Sequence, residues 1–88
     1  MSERTVASLN TLDKLLASLG AMPRDAAVDG LVENAEALRR AVAAFHMEAI
    51  RFRMFNVDRS LEAAPQMLRQ ARLDPQVPDQ LRKLAGTL

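Results

Sequence analysis

The chain has few of the residue types that metal and hydrolytic chemistry need. None of its 88 residues is cysteine, tryptophan or tyrosine, and only one is histidine. The lack of cysteine excludes a disulfide framework and a thiolate metal site. One histidine cannot supply the paired Glu-x-x-His motifs of a di-iron bundle, and no oriented nucleophile accompanies it for a triad. We therefore expect no metal, no cofactor and no enzymatic activity.

Glycine is scarce and long apolar runs are missing. Gly20, Gly30 and Gly86 are far apart, which excludes a glycine-rich phosphate loop. No run approaches the roughly 18 apolar residues of a membrane helix, and the start MSERTVASLN has no basic segment leading into an apolar one. We expect a soluble cytoplasmic protein with no membrane partner. Ten of the twelve basic residues are arginine, and alanine is plentiful, which is associated with GC-rich bacterial genomes.

Net charge is small, but it is unevenly distributed. Residues 1–38 hold three basic and six acidic side chains, a net charge of −3, whereas residues 39–88 hold nine and five, a net charge of +4. Two halves with opposite net charge attract each other. This favours antiparallel packing of the two halves, either within one chain or between two chains. The arginines of the second half are interleaved with acidic residues and spread around a helix, so we do not expect a nucleic-acid partner.

The apolar spacing predicts helices throughout, and so a single all-α domain over residues 1–88. Ser2 is placed to cap a first helix that ends near Leu19, with Gly20 in a left-handed conformation. A second helix is predicted from Pro23 to about Ala64, since Pro65 disfavours continuation. Gly30 and residues 56–58 are the places where this helix is expected to break, if it breaks.

A coiled-coil seam runs along this second helix. Its members follow a 4-3-4-3-4-3 spacing: Leu31, Ala35, Leu38, Val42, Phe45, Ala49 and Phe52. An unbroken helix over residues 23–64 would be about 63 Å long, which exceeds the diameter of a compact monomer of this size. The sequence therefore predicts a small helical hairpin or bundle with one long central helix, elongated and dimeric.

The segment FHMEAIRFRMF at residues 45–55 supplies a predicted interaction face with apolar residues on two sides of the helix. Phe52 is expected in the core, while Phe55 lies among charged residues and is expected to be exposed. Phenylalanine and methionine together give an adaptable binding surface. The residues of the face are Phe45, Met47, Ile50, Phe52, Met54, Phe55, Val57 and Leu61.

A polar row lies between the two apolar stripes, formed by Arg39, His46, Arg53, Asn56 and Ser60. Its arginines either pair with the acidic first half of the chain or form a site for phosphate or carboxylate. We expect His46 to be structural and buried in an association seam, near a carboxylate or its own symmetry mate.

These patterns favour a small non-enzymatic helical interaction protein, a self-associating adaptor or regulator. A homodimer is the expected assembly, in parallel or antiparallel orientation, and a heterologous protein partner is the other use of the second apolar stripe. The alternative function is a histidine phosphotransfer relay that uses His46.

Overall fold

A computed structural model describes the backbone of residues 2–70 and 72–87, and all side chains there except those at 61, 64 and 85–87. This part of the chain is all-helical and has no strand. Its four helices are α1 (Glu3–Gly20), α2 (Ala26–Ala43), α3 (Met47–Arg69) and α4 (Gln76–Thr87). The predicted all-α class is confirmed.

Helix α1 begins as predicted and ends differently. The Ser2 hydroxyl accepts the backbone N–H of Thr5 at 3.2 Å, which satisfies one of the free donors of the first turn. The prediction of a left-handed Gly20 is wrong, since no described glycine has a positive φ. Ala21 continues in right-handed geometry and donates its N–H to the Ser18 carbonyl at 3.3 Å, so the chain leaves α1 without a left-handed residue.

Helix α2 begins at an aspartate cap and runs through its glycine. The Asp25 carboxylate accepts the N–H of Val28 at 2.9 Å. Asp29 lies inside α2 and pairs with Arg24 at 2.8 Å. The surrounding turns carry enough buried apolar side chains to hold Gly30 in a helix despite its cost of about 1 kcal/mol.

The predicted long helix is two helices, α2 and α3, separated by residues 44–46. The break lies neither near Gly30 nor at residues 56–58. It lets α3 fold back along α2, so that both helices cover one core. The molecule measures 38 × 20 × 19 Å with a radius of gyration of 12.2 Å. It is a compact globule, and the predicted elongated shape around one central helix is not found.

Helix α3 also continues past its proline. It runs through Pro65 to Arg69, although the sequence predicted a boundary there. A proline inside a helix costs about 3 kcal/mol or more because it removes one hydrogen bond. The turn beyond Pro65 brings Met67 against the core, and the burial of that side chain offsets part of the cost.

Each helix packs against two others: α1 and α3 both contact α2 and α4. The described residues of the core are mostly leucine and valine. They are Leu12, Leu15 and Leu19 of α1, Val28, Leu31, Val32, Ala35, Leu38 and Val42 of α2, Val57 of α3, Leu73 before α4, and Val77, Leu81 and Leu84 of α4. The seam predicted over Leu31–Val42 is therefore buried. Among its described residues, α3 adds Ile50, Met54 and Met67, which are partly buried and pack against this core.

Candidate interaction surface

Two hydrogen bonds close α2 at its corner with α3. The His46 N–H donates to the Ala41 carbonyl at 3.1 Å, and the Phe45 N–H donates to the Val42 carbonyl at 3.0 Å. This pair of bonds is a Schellman motif, which requires a left-handed residue just after the helix. Phe45 takes that role with φ 55°, alone among the described non-glycine residues. The conformation costs a non-glycine residue about 1–2 kcal/mol.

His46 is exposed at this corner. Its ring Nδ1 accepts the backbone N–H of Ala49 at 3.2 Å, so the side chain caps the first turn of α3. An imidazole that accepts at Nδ1 in its neutral form carries its proton at Nε2. Within the single chain the corner leaves this residue exposed, and its predicted burial in an association seam stays a prediction.

Large apolar side chains are exposed at this corner and along α3. Phe45 is 67% exposed, Met47 55%, and Phe52 and Phe55 59% each. All the phenylalanines of the chain are therefore in contact with solvent. Scattered single apolar residues are common on protein surfaces, but aromatic residues grouped within eleven positions are not.

The break at residues 44–46 explains which stripe of α3 is buried. Val57 is fully buried, and Ile50 and Met54 pack against the core from half-buried positions. Phe52 points away, so the prediction that it lies in the core is wrong: the non-helical corner changes the helical phase between α2 and α3. Phe55 is exposed, as its charged neighbours predicted. The Leu61 side chain, assigned to the same face, lies outside the described residues.

A groove of about 260 Å³ lies at this end of the bundle, mainly apolar and open on one side. Phe45, Met47 and Ile50 line one wall, and Thr5 and Ser8 of α1 line another. Sequence reasoning missed the contribution of α1, because two small polar residues in its first turns carry no pattern that points to a groove. The groove adds a concave region beside the exposed side chains.

The predicted polar row does not stay together in the fold. Arg39 pairs with Asp13 of α1, with 2.6 Å between Nε and Oδ1. The hydrogen bond from Arg39 holds the pKa of the Asp13 carboxyl below its ordinary value, and the pKa of Arg39 is raised in return. Both side chains are about half exposed, so this surface pair stabilises the fold modestly. This contact matches the interpretation in which arginines of the row pair with the acidic half.

The other members of the row have local partners. The Arg53 guanidinium lies 5.2 Å from the centre of the Phe52 ring, a cation–π contact. Ser60 donates to the Asn56 carbonyl at 3.2 Å and accepts from the Asn34 side chain at 3.4 Å. The Asn34–Ser60 hydrogen bond joins α2 to α3, whereas the Arg53–Phe52 and Ser60–Asn56 contacts lie within α3.

The described residues include neither a metal-ligating cluster nor a membrane-spanning helix. Nowhere do three His, Cys, Asp or Glu side chains come close enough to hold a metal ion together. None of the helices has the length and apolar character needed to cross a membrane.

Comparison with models of protein families, with curated proteins and with solved structures finds no match to this chain. The function is therefore inferred from the chain's own residues. Its most distinctive surface is the solvent face of α3, where two phenylalanines lie between charged side chains.

Proposed function

We propose that this chain is a non-enzymatic helical interaction protein that associates with itself in the cytoplasm and acts as an adaptor or regulator. The observation that carries the proposal is the exposure of Phe52 and Phe55, 59% each, on a helix whose opposite side is packed on the core. The cytoplasmic location rests on composition, since a chain without cysteine needs no oxidising compartment.

The energetics support a binding role for these two side chains. Complete burial of a phenylalanine is worth about 1.5–3 kcal/mol, and this chain forgoes much of that gain at both positions. Aromatic residues are enriched in the buried centres of protein interfaces, where a few anchor residues dominate the binding energy. Phe45 adds to this argument, because a strained left-handed residue at an exposed corner indicates a functional constraint.

The length of the predicted helix over residues 23–64 does not support self-association, because that helix is not continuous. The long helix that would have exceeded a compact monomer is divided at residues 44–46, and the bundle covers its own core. What supports association is the aromatic surface that remains uncovered. A heterologous partner with an apolar groove would use the same residues, and the solution mass of the purified chain distinguishes the two uses.

Light scattering over a dilution series tests the proposal. We expect twice the chain mass at high concentration and a shift to the 9.7 kDa monomer on dilution. A Phe52→Ser, Phe55→Ser double variant should stay monomeric, because both anchors are removed. Leu68→Ser is the matched control, since Leu68 is also exposed on α3 but lies away from the two phenylalanines. A parent chain that is monomeric throughout contradicts the proposal.

The alternative, a phosphotransfer relay, is favoured by one observation, the exposed ring of His46. It is disfavoured by the hydrogen bond that occupies Nδ1 and fixes the ring as a helix cap. Incubation with acetyl phosphate discriminates between the two functions. We expect no acid-labile phosphate on the parent or on His46→Gln; specific labelling of the parent alone would favour the relay.

A further inference from the structure

Four residues on the solvent face of α3 form a palindromic pattern, which we call the outer stripe: Glu48, Phe52, Phe55 and Arg59. All four are exposed, and their spacings are 4, 3 and 4. These spacings place them at alternating a and d positions of a heptad, the positions that meet in a coiled coil. Val57 falls on the opposite side of the helix and is buried in the core of the bundle. The outer stripe is thus a coiled-coil seam on the solvent side of α3, and the core of the described bundle lies on the opposite side of the helix.

We infer that the outer stripe binds the outer stripe of a second copy of this chain, with the two α3 helices antiparallel. This inference rests on the proposed self-association and specifies its interface. A two-fold axis between positions 53 and 54 places Phe52 level with the partner's Phe55, and Phe55 level with the partner's Phe52. Antiparallel seams pair a with d positions in this manner, and a two-fold interface must be complementary to itself.

The charges of the outer stripe favour this orientation over the parallel one. In the antiparallel pair, Glu48 lies level with the partner's Arg59, and the symmetry repeats this contact of opposite charges. In a parallel pair, Glu48 would face its own copy and Arg59 would face its own copy. Like charges placed opposite each other oppose association, so the sequence discriminates between the two arrangements.

A second pair of charges lies beside the stripe with the same symmetry. Arg51 and Asp58 are both exposed and lie at g positions, which meet each other across antiparallel helices. Their axial offset in this arrangement is two residues, about 3 Å at 1.5 Å per residue. The long side chain of Arg51 spans that offset. No ion pair links either residue to another described residue within the chain.

The expected strength follows from the size of the contact. The outer stripe spans eleven helical rises, about 16 Å, which is short for an interface that normally covers about 800 Å² per partner. We therefore expect a weak dimer, with a dissociation constant on the order of micromolar or above. Sedimentation must accordingly include concentrations on both sides of that value.

Charge reversal in the full chain tests the orientation by sedimentation equilibrium. Glu48→Arg and Arg59→Glu should each weaken the dimer about tenfold, because two attractive pairs become two repulsive ones. The double variant should recover the parent affinity. An equimolar mixture of the two single variants should also recover it, because the mixed dimer pairs arginine with glutamate at both ends. Glu33→Arg, on the exposed side of α2, is the control and should change nothing.

Each outcome has one meaning. Weakening by both single variants with recovery in the double variant and in the mixture supports the inference. If the parent is a dimer and none of the charge reversals changes its dissociation constant, the inference is overturned. Self-association then uses another surface. Weakening without recovery in the double variant also overturns it. A monomeric parent overturns the proposed function itself. Far-UV circular dichroism and thermal unfolding, recorded on every variant, show whether a loss of dimer reflects a loss of fold.

Discussion

Arg39 donates from Nε to Asp13 Oδ1 at 2.6 Å and so links α1 to α2 across 26 positions of the sequence. The second nitrogen of the guanidinium contributes a longer contact, from Nη2 to Oδ2 at 3.4 Å. This contact joins the acidic first half of the chain to the first basic residue of its second half. At least one attraction between the acidic first half and the basic second half is therefore formed within a single chain, between Asp13 and Arg39.

The Asp13–Arg39 pair predicts a pH dependence of stability. Because the hydrogen bond from Arg39 lowers the pKa of Asp13 in the folded state, the pair stabilises the fold above the unfolded-state pKa of about 3.9. That contribution is lost as the pH falls through the lowered folded-state value. Asp13→Asn should therefore be less stable than the parent at pH 7, with the difference shrinking below about pH 4. Urea unfolding at several pH values measures it.

The control for this experiment is Asp58→Asn. It removes an exposed carboxylate that forms no ion pair with the other described residues. Measurements at protein concentrations well below dimer formation keep association out of the comparison. If Asp13→Asn and Asp58→Asn follow the same pH profile, the Arg39 contact does not stabilise the fold in solution.

Replacement of Phe45 by glycine should stabilise the monomer. Glycine adopts φ 55° without the steric cost that a side chain bears, and the exposed ring of Phe45 contributes little packing. We expect a gain of about 1 kcal/mol in unfolding free energy by urea titration. Phe45→Ala is the matched control and should bring no such gain, because alanine keeps the strained Cβ. Loss of stability in Phe45→Gly would mean that the ring is packed.

The two sides of the bundle should respond differently to truncation. Phe52→Ala should cost less than about 1 kcal/mol in the monomer, since the ring is 59% exposed and loses mainly its contact with Arg53. Leu38→Ala, in the core, should cost about 2–5 kcal/mol. Chemical denaturation of dilute samples provides both values. Comparable large losses at the two positions would place Phe52 in the core after all.

The spacing of apolar residues was enough to predict the all-helical class and the burial of the seam from Leu31 to Val42. These residues belong to one uninterrupted helix, in which the 4-3 spacing translates directly into one face. Exposure of Phe55 followed in the same way from its charged neighbours. The self-association and the orientation of any dimer stay predictions.

The corner at residues 44–46 could not be read from the pattern. No glycine, proline or common N-cap residue marks it: a left-handed phenylalanine ends α2, and a histidine caps α3. The local cost of Phe45 is offset by the tertiary packing of α3 on α2 and α4, which sequence spacing does not reveal. The predicted helical wheel extended from α2 through this corner. Some residues beyond Val42 were therefore assigned to the wrong faces, and Phe52 was expected to be buried. At Pro65 the opposite error occurred: the sequence predicted a helix boundary, but α3 continues to Arg69. The contact of Met67 with the core, which favours this continuation, is not visible in the sequence pattern.

The central claim is that the solvent face of α3 binds another helix, and concentration-dependent amide NMR tests it residue by residue. On dilution from the millimolar to the low micromolar range, we expect the amide signals of residues 48–59 to shift together along one binding curve. Those around Asp29 and Glu33, on the exposed side of α2, should stay fixed. Spectra that do not change with concentration anywhere, or shifts confined to α1 and α4, would contradict the claim.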